Sequence, residues 1–385
     1  MADVVDLAGS PFVDLSEALR SEHAAVWVRL AEGGGEAPAR PMLWPCEAPE
    51  VEAAQATSKP IPAVDVAVVR DACLGGPGGH VQREGRYVYA EAATPGFVRH
   101  WMEHDFDRQY WAFEPSKPIA VERVFAILHF NIVYGHWLTE IFPKLFVIKR
   151  LAEQGLTAPI ALPSTAPAYV RDSIHEVLPG QAVLTYDPAL EHIAAERVIL
   201  PSMLNHFYAF HPWLAEDLDR WIAALPAARP GPERLFVSRA EVKPGFRHMI
   251  NREEIEQVAT DLGLRVVHPE RRLWREQVAL FTGARLVAGE FGSGMHNALF
   301  AAPGAKVVCL NWITDVQSSI ATFRGQDVGY ILDPDGRPRT YGYSAEAQAF
   351  RIDPATFAEH LSRLIEAADG RRRPRRVGLF SSRRL

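Results

Sequence analysis

Three short stretches carry side chains whose types and spacing could do chemistry. In NIVYGHWLTEIFPKL, His136 opens a helical pattern and Glu140 lies one turn further on, so both share one helix face. A histidine and a carboxylate in that register are the parts of a general base, and the sequence leaves either of them as the group that removes a proton from a hydroxyl. A plainer account sets His136 as a satisfied helix-start residue, with Trp137, Ile141 and Leu145 in the core and Glu140 in solvent. Pro143 falls inside the same pattern and is expected to kink it.

The second stretch, LFVSRAEVKPGFRHMIN, puts Ser238 and Arg239 at the carboxyl end of a strand and Arg247 ahead of the next helix. Open α/β sheets bind ligands at strand ends, and two guanidinium groups there could hold phosphate oxygens through forked, charge-assisted hydrogen bonds. The third, LVAGEFGSGMHNALFAAPG, reads as a buried strand ending at Gly289, a glycine turn through Gly292, and a helix starting near Ser293 or Gly294. Amide groups at a helix start favour an anion, glycine admits a diphosphate closely, and Ser293, His296 and Asn297 could add side-chain bonds. Glycines serving only a tight turn are the alternative. Glu270, after Pro269, is placed to accept from ribose hydroxyls. Glu276 and Gln277 precede the glycine turn on a helix and read as simple helix polarity, or as support for that turn. His206 and His211 lie in a loop, where His211 is expected to pack. No HExxH, CxxC or DxD pattern points to a metal site, and none is expected.

These residues need a framework. PAARPGPER, from Pro226 to Arg234, reads as an inter-domain linker. After it, the apolar runs LFVS, RVV, RLVAG and KVVCL alternate with helical stretches, the rhythm of a parallel sheet. The first helix is expected to start at Asn251, with Glu254 in a capping-box position, and to close at Gly263. Before the linker, residues 1–120 are less regular. From Val121 the chain reads strand, loop, one long helix (HWLTEIFPKLFVIKRLAEQG), then PIAL, a helix, and the strands AVLTY and RVILP. The expected organisation is α/β and GT-B-like, with two Rossmann-like domains facing across a cleft. It comprises an N-terminal acceptor-side domain (1–225), a linker (226–234), a nucleotide-sugar-binding domain (235–350), a C-terminal helix (351–369) and a basic tail (370–385).

Composition bounds the partners. The chain has 385 residues, 48% of them apolar and 23% charged, which is globular and large enough for two domains. The net charge of -6 hides a final stretch, GRRRPRRVGLFSSRRL, with seven arginines and no acid. The acidic remainder argues against nucleic acid as a partner. The tail could touch anionic headgroups at the inner face of a membrane or stay solvated. An acid-bearing start and no apolar run of transmembrane length predict a cytoplasmic protein, and three scattered cysteines predict no disulfide framework.

Taken in order, GHWLTEIFPKL, FVSR with its following arginine and NREE, then HPE, EQVALF and GEFGSGMHNALFAAPG resemble glycosyltransferase family 61 over roughly Val121 to Leu310. The resemblance implies a GT-B fold, inversion at the anomeric carbon, a nucleotide-sugar donor, a glycan acceptor and no obligatory metal. Its bacterial relatives are associated with capsular or other surface polysaccharides, while plant and animal relatives transfer xylose, arabinose or N-acetylglucosamine. It places the family's helix-start histidine at His136, its acidic position at Glu140, its strand-end arginine at Arg239 and its closing asparagine at Asn297. Many relatives carry histidine where this chain has Phe291, and often threonine where it has His296. The sequence therefore predicts a transferase using a uridine diphosphate sugar. Two alternatives are a non-catalytic nucleotide-sugar or glycan-binding protein and a GT-B-type nucleotide-sugar epimerase.

Overall fold

The computed structural model describes residues 3–36, 42–44, 59–114, 117–129, 132–206, 209–225, 231–242, 247–335 and 349–370. The basic tail beyond Gly370 and most of the 226–234 linker lie outside them.

The fold is mixed α/β. In the first half a nine-stranded sheet is built around the strand Val64–Gly75. One edge of that strand pairs antiparallel with Glu191–Pro201, and the other is shared by Ala25–Ala31 and His80–Arg83. Its alternating valines and alanines fill both faces, so the strand extends well beyond the VDVAVV core expected from sequence. On the far side, Glu191–Pro201, Lys117–Phe125, Ile160–Pro163 and Val183–Tyr186 run parallel, with helices Lys144–Glu153 and Ala168–Val177 as crossovers.

The helix expected from residue 136 onward is broken. Pro143 has no N–H to donate, and just before it the turn widens, with Phe142 N–H reaching back five residues to the Trp137 carbonyl at 2.7 Å. A regular helix resumes at Lys144.

In the second half five parallel strands stand in the order Arg265–Val267, Arg234–Val237, Leu286–Glu290, Lys306–Leu310 and Asp327–Ile331. Strand order therefore reverses between Arg234–Val237 and Leu286–Glu290, and the crevice beyond their carboxyl ends is the place where open α/β sheets take ligands. Helix Arg252–Asp261 starts after Asn251 and closes with Gly263 at φ +78°. Asn251 makes no cap to the helix amides; its amide instead bonds Glu254 and both backbone groups of Ile352, tying the helix to the C-terminal segment. Helix Pro354–Gly370 then covers this face.

The halves are less separate than a boundary after residue 225 implies. Met42–Trp44, from the N-terminal region, pairs parallel with Asp327–Ile331 and closes the edge of the second sheet. A shared apolar cluster joins the halves, with Phe142 packed on Trp221, Trp274 and Phe300 at ring separations of 5.3 to 6.0 Å. The expected cleft narrows beside this cluster to a cavity of about 490 Å³. Among the described residues no helix is long and apolar enough to cross a membrane.

Candidate active site

The cavity is lined from the first half by Tyr134, Tyr169 and Asp172, and from the second by Arg239, Arg247, Glu270, Ser293 and Gly294, among others. Five of the sequence-predicted site residues thus meet at the reversal point of the second sheet. Arg239 follows the Arg234–Val237 strand, and its backbone N–H is held by Glu290 at 2.9 Å. Its guanidinium lies directly on Gly292, so a Cβ there would collide with Nη1. Among the described residues that guanidinium makes no hydrogen bond. Burial lowers its pKa, Glu290 and Glu270 act to raise it, and Arg252 acts to lower it. A half-buried cation left in this state is a natural partner for an anionic ligand.

Glu290 is the residue that the sequence did not reveal. It is buried at the end of its strand, accepts from Arg252 Nε at 2.7 Å and Nη2 at 3.0 Å, and so uses Arg252 to neutralise its own charge while anchoring the Arg239 backbone. Ser238 also lines the cavity, and its hydroxyl donates to Glu256 at 2.5 Å. Arg247, with φ +62°, sets its guanidinium over Phe291 at 5.0 Å and Trp312 at 5.9 Å. Phe291, the departure within the glycine motif, is thus the platform that carries an arginine to the cavity. Glu270 sits exposed at the rim, on the short turn Pro269–Arg271.

The helix expected after the glycine turn is a tight 3₁₀ run, Ser293–Phe300. Asn297 is fully buried and does not line the cavity. It accepts from the Tyr134 hydroxyl at 2.7 Å and donates to Gln277 and to the Gly294 carbonyl, each at 3.1 Å. Its amide therefore braces the turn. Gln277 supports the turn through this bond rather than serving as mere helix polarity. His296 is 8% exposed, its ring lies tilted 5.9 Å from that of Phe291, and among the described residues neither ring nitrogen has a hydrogen-bond partner. Burial pushes its pKa down to about 3. His211 accepts from Trp213 N–H at 3.1 Å and faces the Glu32 carbonyl at 3.1 Å, the packing role expected of it.

From the first half, His136 Nδ1 lies 2.8 Å from Glu140 Oε1. Glu140 is buried rather than solvated, and its other oxygen meets His129 Nε2 at 3.1 Å. Burial opposes the charge on Glu140, but the two histidine hydrogen bonds outweigh it and hold the carboxyl down to about 2. An ionised carboxylate only accepts, so it takes the Nδ1 hydrogen of His136 and places the lone pair of the neutral ring at Nε2. Gly135 brings this pair against the glycine turn. A Cβ at Gly135 would stand 2.9 Å from Ser293 Oγ and 3.3 Å from His296 Nδ1.

A histidine–carboxylate pair on one side and a glycine turn beside an arginine on the other thus stand in close contact. Residues 134–308 match the family model of Glycosyltransferase 61. The glycosyltransferase 61 segment starts at Tyr134, two residues before His136, and ends within the Lys306–Leu310 strand, so it contains both sides of the site. A glycosyltransferase takes a sugar donor and a sugar acceptor as substrates. No curated protein matches the chain. Of the candidate site residues, His129 lies outside the matched segment.

Proposed function

We propose that the protein is an inverting glycosyltransferase that moves a sugar from a uridine diphosphate donor to a hydroxyl of a surface or capsular glycan. In this proposal its two Rossmann-like halves are set as in a GT-B enzyme, and it works at the cytoplasmic face of the inner membrane. The observation that carries the reading is the contact at Gly135, where the His136–Glu140 pair abuts the Ser293 turn and the turn in turn abuts Arg239.

In a single displacement the acceptor oxygen attacks the anomeric carbon while the bond from that carbon to the diphosphate oxygen breaks on the opposite side. His136 takes the hydroxyl proton through Nε2, oriented by Glu140. Arg239, Arg247 and the amides around Gly292, Ser293 and Gly294 neutralise the departing diphosphate, so the scheme needs no metal. Glu270 accepts from the ribose, and His296 faces the sugar. The acidic body leaves nucleic acid out of the scheme, and the arginine-rich tail supplies contact with anionic lipid.

Thermal denaturation with uridine diphosphate tests this reading. Nucleotide at a hundredfold excess over its Kd stabilises a protein by about 2.7 kcal/mol. That stabilisation is expected with or without chelator, and Arg239→Ala is expected to abolish it. A protein indifferent to every nucleoside diphosphate would overturn the proposal. Binding without transfer or donor hydrolysis would make it a nucleotide-sugar-binding protein.

A further inference from the structure

Behind the base lies a buried lysine that the reaction described above does not use. Lys144 is fully buried in the first half, directly after Pro143. Its Nζ lies 2.8 Å from the Ala93 carbonyl, 2.9 Å from the Ile127 carbonyl and 3.5 Å from His129 Nδ1. His129, four residues beyond the Lys117–Phe125 strand, is 1% exposed and presents its other nitrogen to Glu140. Four side chains therefore form one line: His136, Glu140, His129, Lys144.

The line has a direction. Carbonyls only accept, so two hydrogens of Lys144 are committed to Ala93 and Ile127, and the third of an ammonium is left for His129 Nδ1. A ring that accepts at Nδ1 carries its hydrogen on Nε2 and donates it to Glu140. With one carboxylate oxygen occupied in that way, the other receives Nδ1–H of His136. Burial lowers the Lys144 pKa to about 7 and the His129 pKa to about 4, with Glu140 opposing both shifts. Among the described residues two further rings stand near the line: His80, which feels His129, and His296, which feels His136, Arg247 and Glu140. Burial holds both rings uncharged, each to about 3. Lys144 is thus the cation that balances Glu140 within the line.

We propose that Lys144 and His129 are positioning residues that aim the Glu140 carboxylate at His136 Nδ1 and balance its charge, so that Nε2 of that ring serves as the base. The proposal rests on His136 being the base. Without Lys144, His129 loses the donor at Nδ1 that keeps its ring aligned on Glu140. The Glu140 carboxylate then stands uncompensated and holds a proton on His136 more strongly.

Two-bond nitrogen–proton correlations on the ¹⁵N-labelled full chain report ring tautomers directly and need no sugar donor. In the wild type His129 is expected as Nε2–H and His136 as Nδ1–H. Lys144→Met is expected to leave both tautomers in place, because Glu140 still accepts from each ring, but to shift the His129 Nδ1 resonance as its donor is lost and to move the acid limb of kcat/KM upward by roughly one pH unit. Wild-type His129 protonated at Nδ1, or an unmoved His129 Nδ1 resonance and acid limb in Lys144→Met, would overturn the proposal. If Lys144→Met does not fold, the His129 variants decide. His129→Gln retains an N–H toward Glu140 and is expected to keep kcat within about tenfold, whereas His129→Leu loses roughly a hundredfold; equal losses in the two variants would also overturn it. A wild type with the expected rings but no transfer or donor hydrolysis would refute the transferase reading and leave the positioning intact.

Discussion

Gly135 and Ser293 face each other across the two halves with room for a hydrogen and for nothing larger, since a Cβ on the glycine would stand 2.9 Å from the serine hydroxyl. Gly135→Ala is therefore expected to push the Ser293 turn away from His136. The expected loss in kcat/KM is about tenfold or more, with little change in melting temperature, because misplacement near the reacting atoms costs rate before it costs fold. Ser293→Ala removes the clashing oxygen, so the double variant is expected to recover part of the loss that Gly135→Ala causes alone. Strictly additive single and double effects would show that the two residues do not compete for space.

Acid stability follows from three buried histidines. Burial lowers the pKa of His80 to about 3, of His129 to about 4 and of His296 to about 3, from an ordinary value of 6.5. Once unfolded, each ring takes a proton near pH 6.5; in the folded chain it does so only well below pH 5. Between these limits the unfolded chain binds more protons, so stability falls as pH drops below 6.5 and is retained above it. The ceiling is about 1.4 kcal/mol per pH unit for each ring. Urea midpoints measured from pH 7.5 to 4.5 are expected to fall from about pH 6.5 downward, and a flat profile would contradict the burial of these rings.

Asn297 and Arg239 should separate cleanly in the same assays. Asn297→Ala leaves the Tyr134 hydroxyl and the Gln277 amide without their buried partner, a loss of about 1 to 3 kcal/mol for each unsatisfied group. The melting temperature is expected to drop while the nucleotide-induced shift survives. Arg239→Ala is expected to do the reverse. If Asn297→Ala removes the nucleotide shift at unchanged stability, its amide contacts the ligand after all.

Much of this arrangement was legible in the sequence because it is local. The strand runs of the second half, the placement of Arg239 after one of them and the i, i+4 pairing of His136 with Glu140 each depend on spacing along a single element. What was not legible depends on meetings between distant segments. His129 reaches Glu140 from beyond a strand end, Lys144 reaches His129 from beyond a proline, Arg252 reaches Glu290 across the sheet, and Met42–Trp44 travels to the opposite half. Asn297 has the composition of a ligand contact, and only its three neighbours make it a brace. The widened turn ahead of Pro143 likewise follows from the missing N–H in a way that helical periodicity does not register.

The Met42–Trp44 strand also governs how this chain can be dissected. A fragment beginning after Leu225 would retain five parallel strands but lose the sixth, baring the unpaired amides and carbonyls of Asp327–Ile331 along an apolar edge. Such an edge is a template for intermolecular pairing. The nucleotide-side half expressed alone would therefore self-associate, and supplying residues 42–44 in trans or fused ahead of it would be needed to keep it monomeric.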